Sequence, residues 1–322
     1  KYALYIIMIL FFIVCVIIEP GIIQGNSLIA ILNQSSTKMF YSLGVAGLIL
    51  IAGTDLSIGR LTGVATSLAC MVVTQNVYKF NASIGGGEIN FTSFNGISQV
   101  LIAVILCIIV CVAFTSLAGF FTSKFKMHPF ITTLSTQLLS FGLMMVLFSD
   151  TPAFNMDRDI KKLIIGDQGI NLIIYAIIAI VIVWFIWNKT KFGKYMYAVG
   201  GNTEAASVSG INVFKVTMGI FVMAGVLYGI GGFLEGARVG SGSPNTGSGT
   251  ELDAIAACVV GGISFSGGIG KISGAVFGTI IFSGLTYCLT YLGFDPNIQF
   301  IFKGIIIMAA VCLDSLKYLK KK

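Results

Sequence analysis

The stretch IAGTDLSIGR, residues 51–60, decides how this chain is read. It lies between Thr37–Leu50 (TKMFYSLGVAGLIL) and Leu61–Val73 (LTGVATSLACMVV), both apolar or small-residue sequence suited to a bilayer. An aspartate, an arginine, hydroxyls and glycines in that setting mark the interruption of a membrane helix. The surrounding chain is 56% hydrophobic and only 10% charged, whereas a soluble domain carries about 25% charged residues. Such a composition cannot bury its apolar surface in one core and keep a wettable exterior. The predicted class is therefore an all-α, polytopic integral membrane protein.

A helix needs about 20 apolar residues to cross the hydrocarbon. Spans are predicted near 2–18, 39–52, 56–74, 97–121, 130–148, 170–187, 213–234, 272–292 and 298–313. The segment 253–262 is too short to cross alone. Residues 19–38 read as an outside loop with a short amphipathic piece, and 75–96 as a polar loop. About ten membrane or half-membrane segments result, with broken or re-entrant stretches near 53–60 and 253–271. An even number puts both termini on one side. With the N terminus inside, the inside loops hold Lys1, Lys124, Lys126, Lys189, Lys191, Lys194, Lys215, Lys317, Lys320, Lys321 and Lys322. The outside loops hold Lys38, Lys79, Arg158, Lys161, Lys162 and Arg238. That excess of inside cations predicts cytoplasmic termini. The first apolar stretch lacks a small-residue cleavage site and reads as an anchor. The KYLKKK tail reads as a topology anchor with affinity for anionic lipid.

The interruption has an echo. GTDLSIGRLTGVA from Gly53 and GISFSGGIGKISGAV from Gly262 share a pattern: Gly, any residue, a small polar residue, an apolar one, Ser, any residue, Gly. Each then supplies a cation (Arg60, Lys271) and, three positions on, a Gly (Gly63, Gly274) that opens a small apolar helix. Repeated interruption of membrane helices points to a substrate path, because non-helical backbone at membrane depth is tolerated only against protein or water. The candidate path residues are Gly53, Thr54, Asp55, Ser57, Arg60, Gly262, Ser264, Phe265 and Ser266. The bland alternative is that both stretches are ordinary turns between helices, the second at the cytoplasmic face. Asp55 at mid-bilayer costs roughly 2.5–3.5 kcal/mol. It either caps the half-helix starting near Leu56 or touches substrate, and Arg60 is a weaker partner for it. No other intramembrane carboxylate is expected, and Lys303 is expected to snorkel outward.

The seven cysteines all fall in apolar segments, with Cys107 and Cys111 four apart on one helix face as small packing residues. No metal site is predicted. His128, before Pro129, reads as a loop residue beside the headgroups.

Residues 188–212 form the longest inside loop. Within it GNTEAASVSGI reads as a short helix: Asn202 or Thr203 caps it, Glu204 sits at its positive end, Ala205 and Ala206 follow, and Gly210 ends it. A short exposed helix between two spans suits docking to a cytoplasmic partner.

On these residues a resemblance rests. EAASVSG, residues 204–210, resembles the Glu-Ala-Ala…Gly loop of ABC importer permeases. AVGGNTEAASVSGINV is similar to that loop in the ribose/galactose branch of the branched-chain-amino-acid and sugar permeases. AGTDLSIGR resembles the branch's Gly-x-Asp-Leu-Ser signature, although Ile58 stands where a small residue is usual. Thr54 and Arg60 point within the branch to galactose/methylgalactoside permeases. GSGSPNTGSGTELDAIAACVVGG, residues 240–262, looks like the branch's stretch before the short penultimate segment. The resemblance covers nearly the whole chain.

It implies one permease domain over 1–322 in a bacterial inner membrane, paired with a second copy of itself. A cytoplasmic ABC ATPase, one chain with two nucleotide-binding domains, would grip the loop 188–212 through Gly201, Asn202, Glu204, Ala205, Ala206 and Gly210. A periplasmic sugar-binding protein would deliver galactose or a methylgalactoside. Ribose, another pentose or a nucleoside is the alternative cargo. Alternatives from other classes are an ion-gradient-driven secondary transporter, and an ion channel or receptor. No catalytic residue, nucleic-acid partner or cofactor is expected in this chain. ATP and Mg belong to the ATPase, since FSGGIGKIS has Phe265 and Ile272 where a phosphate loop needs Gly and a hydroxyl.

Overall fold

The computed structural model describes residues 3–74, 78–80, 87–89, 96–147 and 154–319. Most of the predicted loop 75–96 and the end of the basic tail lie outside the described residues. Helices dominate, because backbone without water must satisfy its own hydrogen bonds. In chain order they are α1 (Ala3–Ile18), α2 (Gly25–Leu50), α3 (Ile58–Val73), α4 (Ile97–Lys124), α5 (Pro129–Leu147), α6 (Arg158–Ile165), α7 (Ile170–Lys189), α8 (Lys191–Gly201), α9 (Thr203–Val208), α10 (Val213–Val239), α11 (Thr250–Val260), α12 (Ile272–Tyr291) and α13 (Pro296–Leu319). Among the described residues α4, α5, Asp167–Lys189, α10 and α12 are long and apolar enough to cross a membrane. Two small antiparallel pairs complete the set: β1 (Tyr78–Phe80) with β2 (Gly87–Ile89), and β3 (Phe154–Asn155) with β4 (Ser241–Gly242), the latter in register Phe154↔Gly242.

The chain divides into two compact units. The first comprises Lys1–Gly53, Tyr175–Val216 and Leu252–Lys322; the second comprises Thr54–Ile174 and Thr217–Glu251.

In the first unit α2 packs along α12, and α1 packs on α12 as well. The expected loop over 19–38 is overturned, since α2 is one continuous helix from Gly25 to Leu50. Its polar residues stay helical by bonding backward. Ser35 Oγ donates to the Ile31 carbonyl at 2.7 Å and Ser36 Oγ to that of Leu32 at 2.7 Å, which hides each hydroxyl without breaking the ladder. α11 and α12 meet at backbone distance. A Cβ on Gly278 would strike the Ala257 carbonyl, and Gly261 and Gly274 exclude a Cβ on each other. Only glycine permits such an approach.

In the second unit α3 is covered by α4 and α5. α10 packs on α3 and α4 with glycines at 225, 229, 232 and 236, a spacing of three and four that forms one helix face. Cβ atoms at 225 and 229 would meet α4 backbone at Val112 and Ile108, while those at 232 and 236 lie over Ala65 and Thr66 of α3. Cys107 and Cys111 do face α3 as packing residues, Cys107 Sγ lying 3.3 Å from the Ala65 carbonyl.

After α10 the chain does not turn straight into a helix. Residues 240–249 run beside the first turns of α3 and antiparallel to it. A Cβ on Gly242 would meet Thr66, one on Gly63 would meet the Pro244 and Thr246 carbonyls, and one on Gly247 would meet Gly59 and Thr62. The sequence SGSPNTGSG, residues 241–249, is rich in turn formers, which keeps it non-helical.

Candidate functional site

The first interruption is a built turn. α2 ends with Ala52 at φ +58° and with the Gly53 N–H on the Leu48 carbonyl at 2.9 Å. Thr54 is half-buried, and Asp55 and Ser57 are fully buried. Asp55 Oδ1 accepts the Ser57 N–H at 2.8 Å and the Ser57 hydroxyl at 2.6 Å. The Leu56 N–H donates to Thr133 Oγ1 of α5 at 3.2 Å, which pins the turn to that helix. Helix α3 then starts at Ile58 with Ser57 in the N-cap position. Asp55 therefore closes the turn ahead of the helix, and does not cap its second or third N–H.

Arg60 does not turn back to Asp55. Its guanidinium donates to Asn245 Oδ1 at 3.2 Å and lies 4.1 Å from the centroid of the Phe141 ring, a cation–π arrangement. Glu251 lies over Gly59, where a Cβ would collide with its carboxylate. The residues Thr54–Ser57 and 240–249 are thus two non-helical, hydroxyl- and amide-bearing stretches on the same end of α3. Asn245 and Ser248 are exposed. Sequence reasoning reached the first stretch and missed the second as a site. Its signal was present in SGSPNTGSG, polar sequence directly after an apolar span.

The second interruption, in the first unit, repeats the turn. Gly262 takes φ +87°, and the Ile263 N–H reaches back to the Cys258 carbonyl at 3.0 Å. Ser264 Oγ accepts the Ser266 N–H at 3.2 Å, the counterpart of Asp55 accepting from Ser57. The Ser264 N–H closes on the Ile269 carbonyl at 2.9 Å. Ser264 is buried, Phe265 half-buried and Ser266 exposed. This turn is fastened to the end of α2: the Gly268 N–H donates to the Leu50 carbonyl at 2.7 Å. An N–H that a phosphate loop would direct at a ligand is spent within the chain.

The helix predicted in the loop 188–212 is α9. Asn202 is its cap, with Oδ1 accepting the Ala205 N–H at 2.9 Å, while Thr203 Oγ1 bonds back to the Val199 carbonyl at 3.0 Å. Gly210, at φ +81°, ends it, with the Ile211 N–H on the Ala206 carbonyl at 3.1 Å. Gly201, Glu204 and Ala205 are exposed and Ala206 is buried. Val208 is 91% exposed, an apolar side chain presented outward. The helix α8 that carries α9 was not anticipated. Its signal was the cap Thr190, whose Oγ1 accepts the Gly193 N–H at 3.3 Å. Burial raises the Tyr197 phenol above its usual range, so its hydroxyl stays a donor.

Asp55 is not the only buried carboxylate. Asp253 of α11 is buried between Lys303 of α13, 2.7 Å from Oδ1, and Lys38 of α2, 2.9 Å from Oδ2. Lys303 does not snorkel, and Lys38 belongs to no outside loop. Distances of 50 and 215 residues along the chain hid this cluster from local reading.

Residues 27–311 match the family described as the branched-chain amino acid transport system / permease component. The chain belongs to this family. It is 51% identical, over 99% of its length, to the galactose/methyl galactoside import permease protein MglC of Treponema pallidum, of which it spans 63%. It is 39% identical to the protein of the same name from Escherichia coli, covering 99% of this chain and 95% of that one. The ribose import permease protein RbsC of Escherichia coli is 33% identical over 93% of this chain and 89% of its own. No solved structure matches the chain. The family is one of transport components rather than enzymes, and this member is a multi-pass, helical membrane protein.

Proposed function

We propose that this chain is the membrane-spanning permease subunit of an ATP-driven importer for a monosaccharide, galactose or a methylgalactoside. The observation that carries the proposal is the match to permeases of that name along 99% of the chain, 39% identical where 95% of the relative is covered. The whole chain then acts as one permease domain in a bacterial inner membrane, with both termini cytoplasmic. It works beside a second copy, a tandem two-domain ABC ATPase that holds ATP and Mg, and a periplasmic binding protein.

Two features support the mechanism. The polar turn at Asp55 and the turn-rich stretch 240–249 place hydroxyls, Asn245 and Arg60 on one end of α3. Polar backbone in a lipid-soluble bundle requires water or protein beside it, and exposed Asn245 and Ser248 suit a wall of the solute path. The second feature is α9, capped at both ends, with exposed Glu204 and Val208 facing outward to meet the ATPase. ATP drives transport by favouring one access state over the other.

The test is uptake in liposomes holding the permease, its ATPase and its binding protein. Galactose-dependent ATP hydrolysis with uptake is expected. Uptake that proceeds without ATPase and collapses with an ionophore would make the chain a secondary transporter. Preference for ribose or a nucleoside would keep the mechanism and change the cargo. Glu204→Lys and Val208→Glu should lose ATPase association while the permease still inserts.

A further inference from the structure

If α9 meets the ATPase, its displacement must reach the interrupted helix, and three backbone segments of the first unit converge where that can happen. Asn202 is both the C-cap of α8 and the N-cap of α9, so the two helices share a residue. Tyr197, Gly200 and Gly201 lie on one face of α8, at helical spacings of three and four. The Tyr197 hydroxyl donates to the Gly270 carbonyl at 2.8 Å. A Cβ on Gly200 would strike the Leu50 carbonyl oxygen and come 2.8 Å from the Gly268 nitrogen. That nitrogen donates to the same Leu50 oxygen at 2.7 Å. A Cβ on Gly268 would come 2.8 Å from the Gly201 Cα, and one on Gly267 would come 2.5 Å from the Gly200 oxygen and 3.1 Å from the Ala52 Cβ.

The last turn of α8, the turn 267–270 and the last turn of α2 therefore meet backbone to backbone. Side chains between helices can re-pack and absorb a small shift, whereas closely packed backbone passes it on. Gly267 and Gly268 hold φ of +80° and +69°, so the turn keeps its shape only with glycine there.

We propose that the Tyr197–Gly200–Gly201 face of α8 is a positioning joint that carries movement of α9 to Leu50–Gly53 and so to the chain just ahead of Asp55. The joint rests on the reading of α9 as the ATPase-docking helix. It assigns a role to the second polar turn as well: the turn is the middle plate of the joint.

The experiment uses the full transporter in liposomes and compares Tyr197→Phe, Gly200→Ala and Val208→Glu. Tyr197→Phe removes one hydrogen bond and leaves the ring beside Trp187, at a centroid distance of 6.0 Å, so it keeps the test valid if Gly200→Ala fails to fold. For Tyr197→Phe the complex should assemble, melt at the wild-type temperature and hydrolyse ATP. Galactose taken up per ATP should fall by about fivefold or more. A purely structural role would lower melting temperature or assembly and leave that ratio unchanged. Wild-type uptake per ATP in both joint variants, with Val208→Glu unable to assemble, would overturn the joint and keep the docking reading. Normal assembly and coupling in Val208→Glu would overturn the docking reading and the joint with it.

Discussion

Lys303 Nζ lies 2.7 Å from Asp253 Oδ1, and the two side chains are 12% and 8% exposed. Lys303 Nζ also donates to Oδ2 at 3.0 Å, the oxygen to which Lys38 donates at 2.9 Å, so two cations share one buried anion. Taking charges out of water is costly unless each is paired, and removing one partner of such a group costs about 3–5 kcal/mol. Lys303→Met leaves a one-to-one pair, whereas Asp253→Asn leaves two cations unpaired. Thermal unfolding in detergent should show a much larger loss for Asp253→Asn. Equal stability of the two variants would mean the lysines find water elsewhere.

The turn at Asp55 needs an acceptor more than a charge. Asp55→Asn keeps a carbonyl oxygen for the Ser57 N–H and hydroxyl. Asp55→Leu leaves that buried N–H unpaired, at about 1–3 kcal/mol. Folded yield and uptake should stay close to wild type for the first and fall for the second. Loss of uptake without loss of stability in Asp55→Asn would instead indicate a direct role of the charge in transport.

Gly63 is one of the close approaches between α3 and the stretch 240–249. A Cβ there would lie 2.6 Å from the Pro244 oxygen and 2.7 Å from that of Thr246. Both are backbone atoms, so they cannot swing aside. Gly63→Val should cost about 1–3 kcal/mol or more by overpacking, read as a lowered melting temperature. Gly142→Ala, with open space around it, is the matched control.

Arg60 and Asn245 hold each other at the exposed edge of that stretch. Asn245→Ala removes a partial, solvent-accessible bond, so stability should change by less than about 1 kcal/mol. Galactose uptake should nevertheless fall severalfold, with ATPase association intact, if this edge lines the path. Unchanged uptake in both Asn245→Ala and Arg60→Ala would remove it from the path.

Much of this was legible along the chain because its causes are local. Composition alone demanded a helical membrane protein. The start of α9 is closed by a side chain bonding three residues on and its end by a glycine at positive φ, both local causes, so Asn202 or Thr203 was readable as the start and Gly210 as the stop. The echo of Gly-x-small polar-apolar-Ser proved to be one device used twice: the side chain of Asp55 or Ser264 accepts the N–H two residues on. The helix ends before it differ by one position, Ala52 taking the positive φ in one case and Gly262 in the other.

What the amino-acid order determined by itself is therefore where helices break and how each break is closed, since those bonds span two to five residues. Which residues meet across the chain was decided only by tertiary packing. Lys38 looked like a loop cation until α2 proved continuous, and Asp253 was passed over as an intramembrane carboxylate until Lys38 of α2 and Lys303 of α13 were found around it. The Gly200–Leu50–Gly268 contact has no side chain to announce it. Glycine leaves no pattern beyond its presence, and whether that means a flexible loop or the closest approach of two backbones depends on what lies opposite.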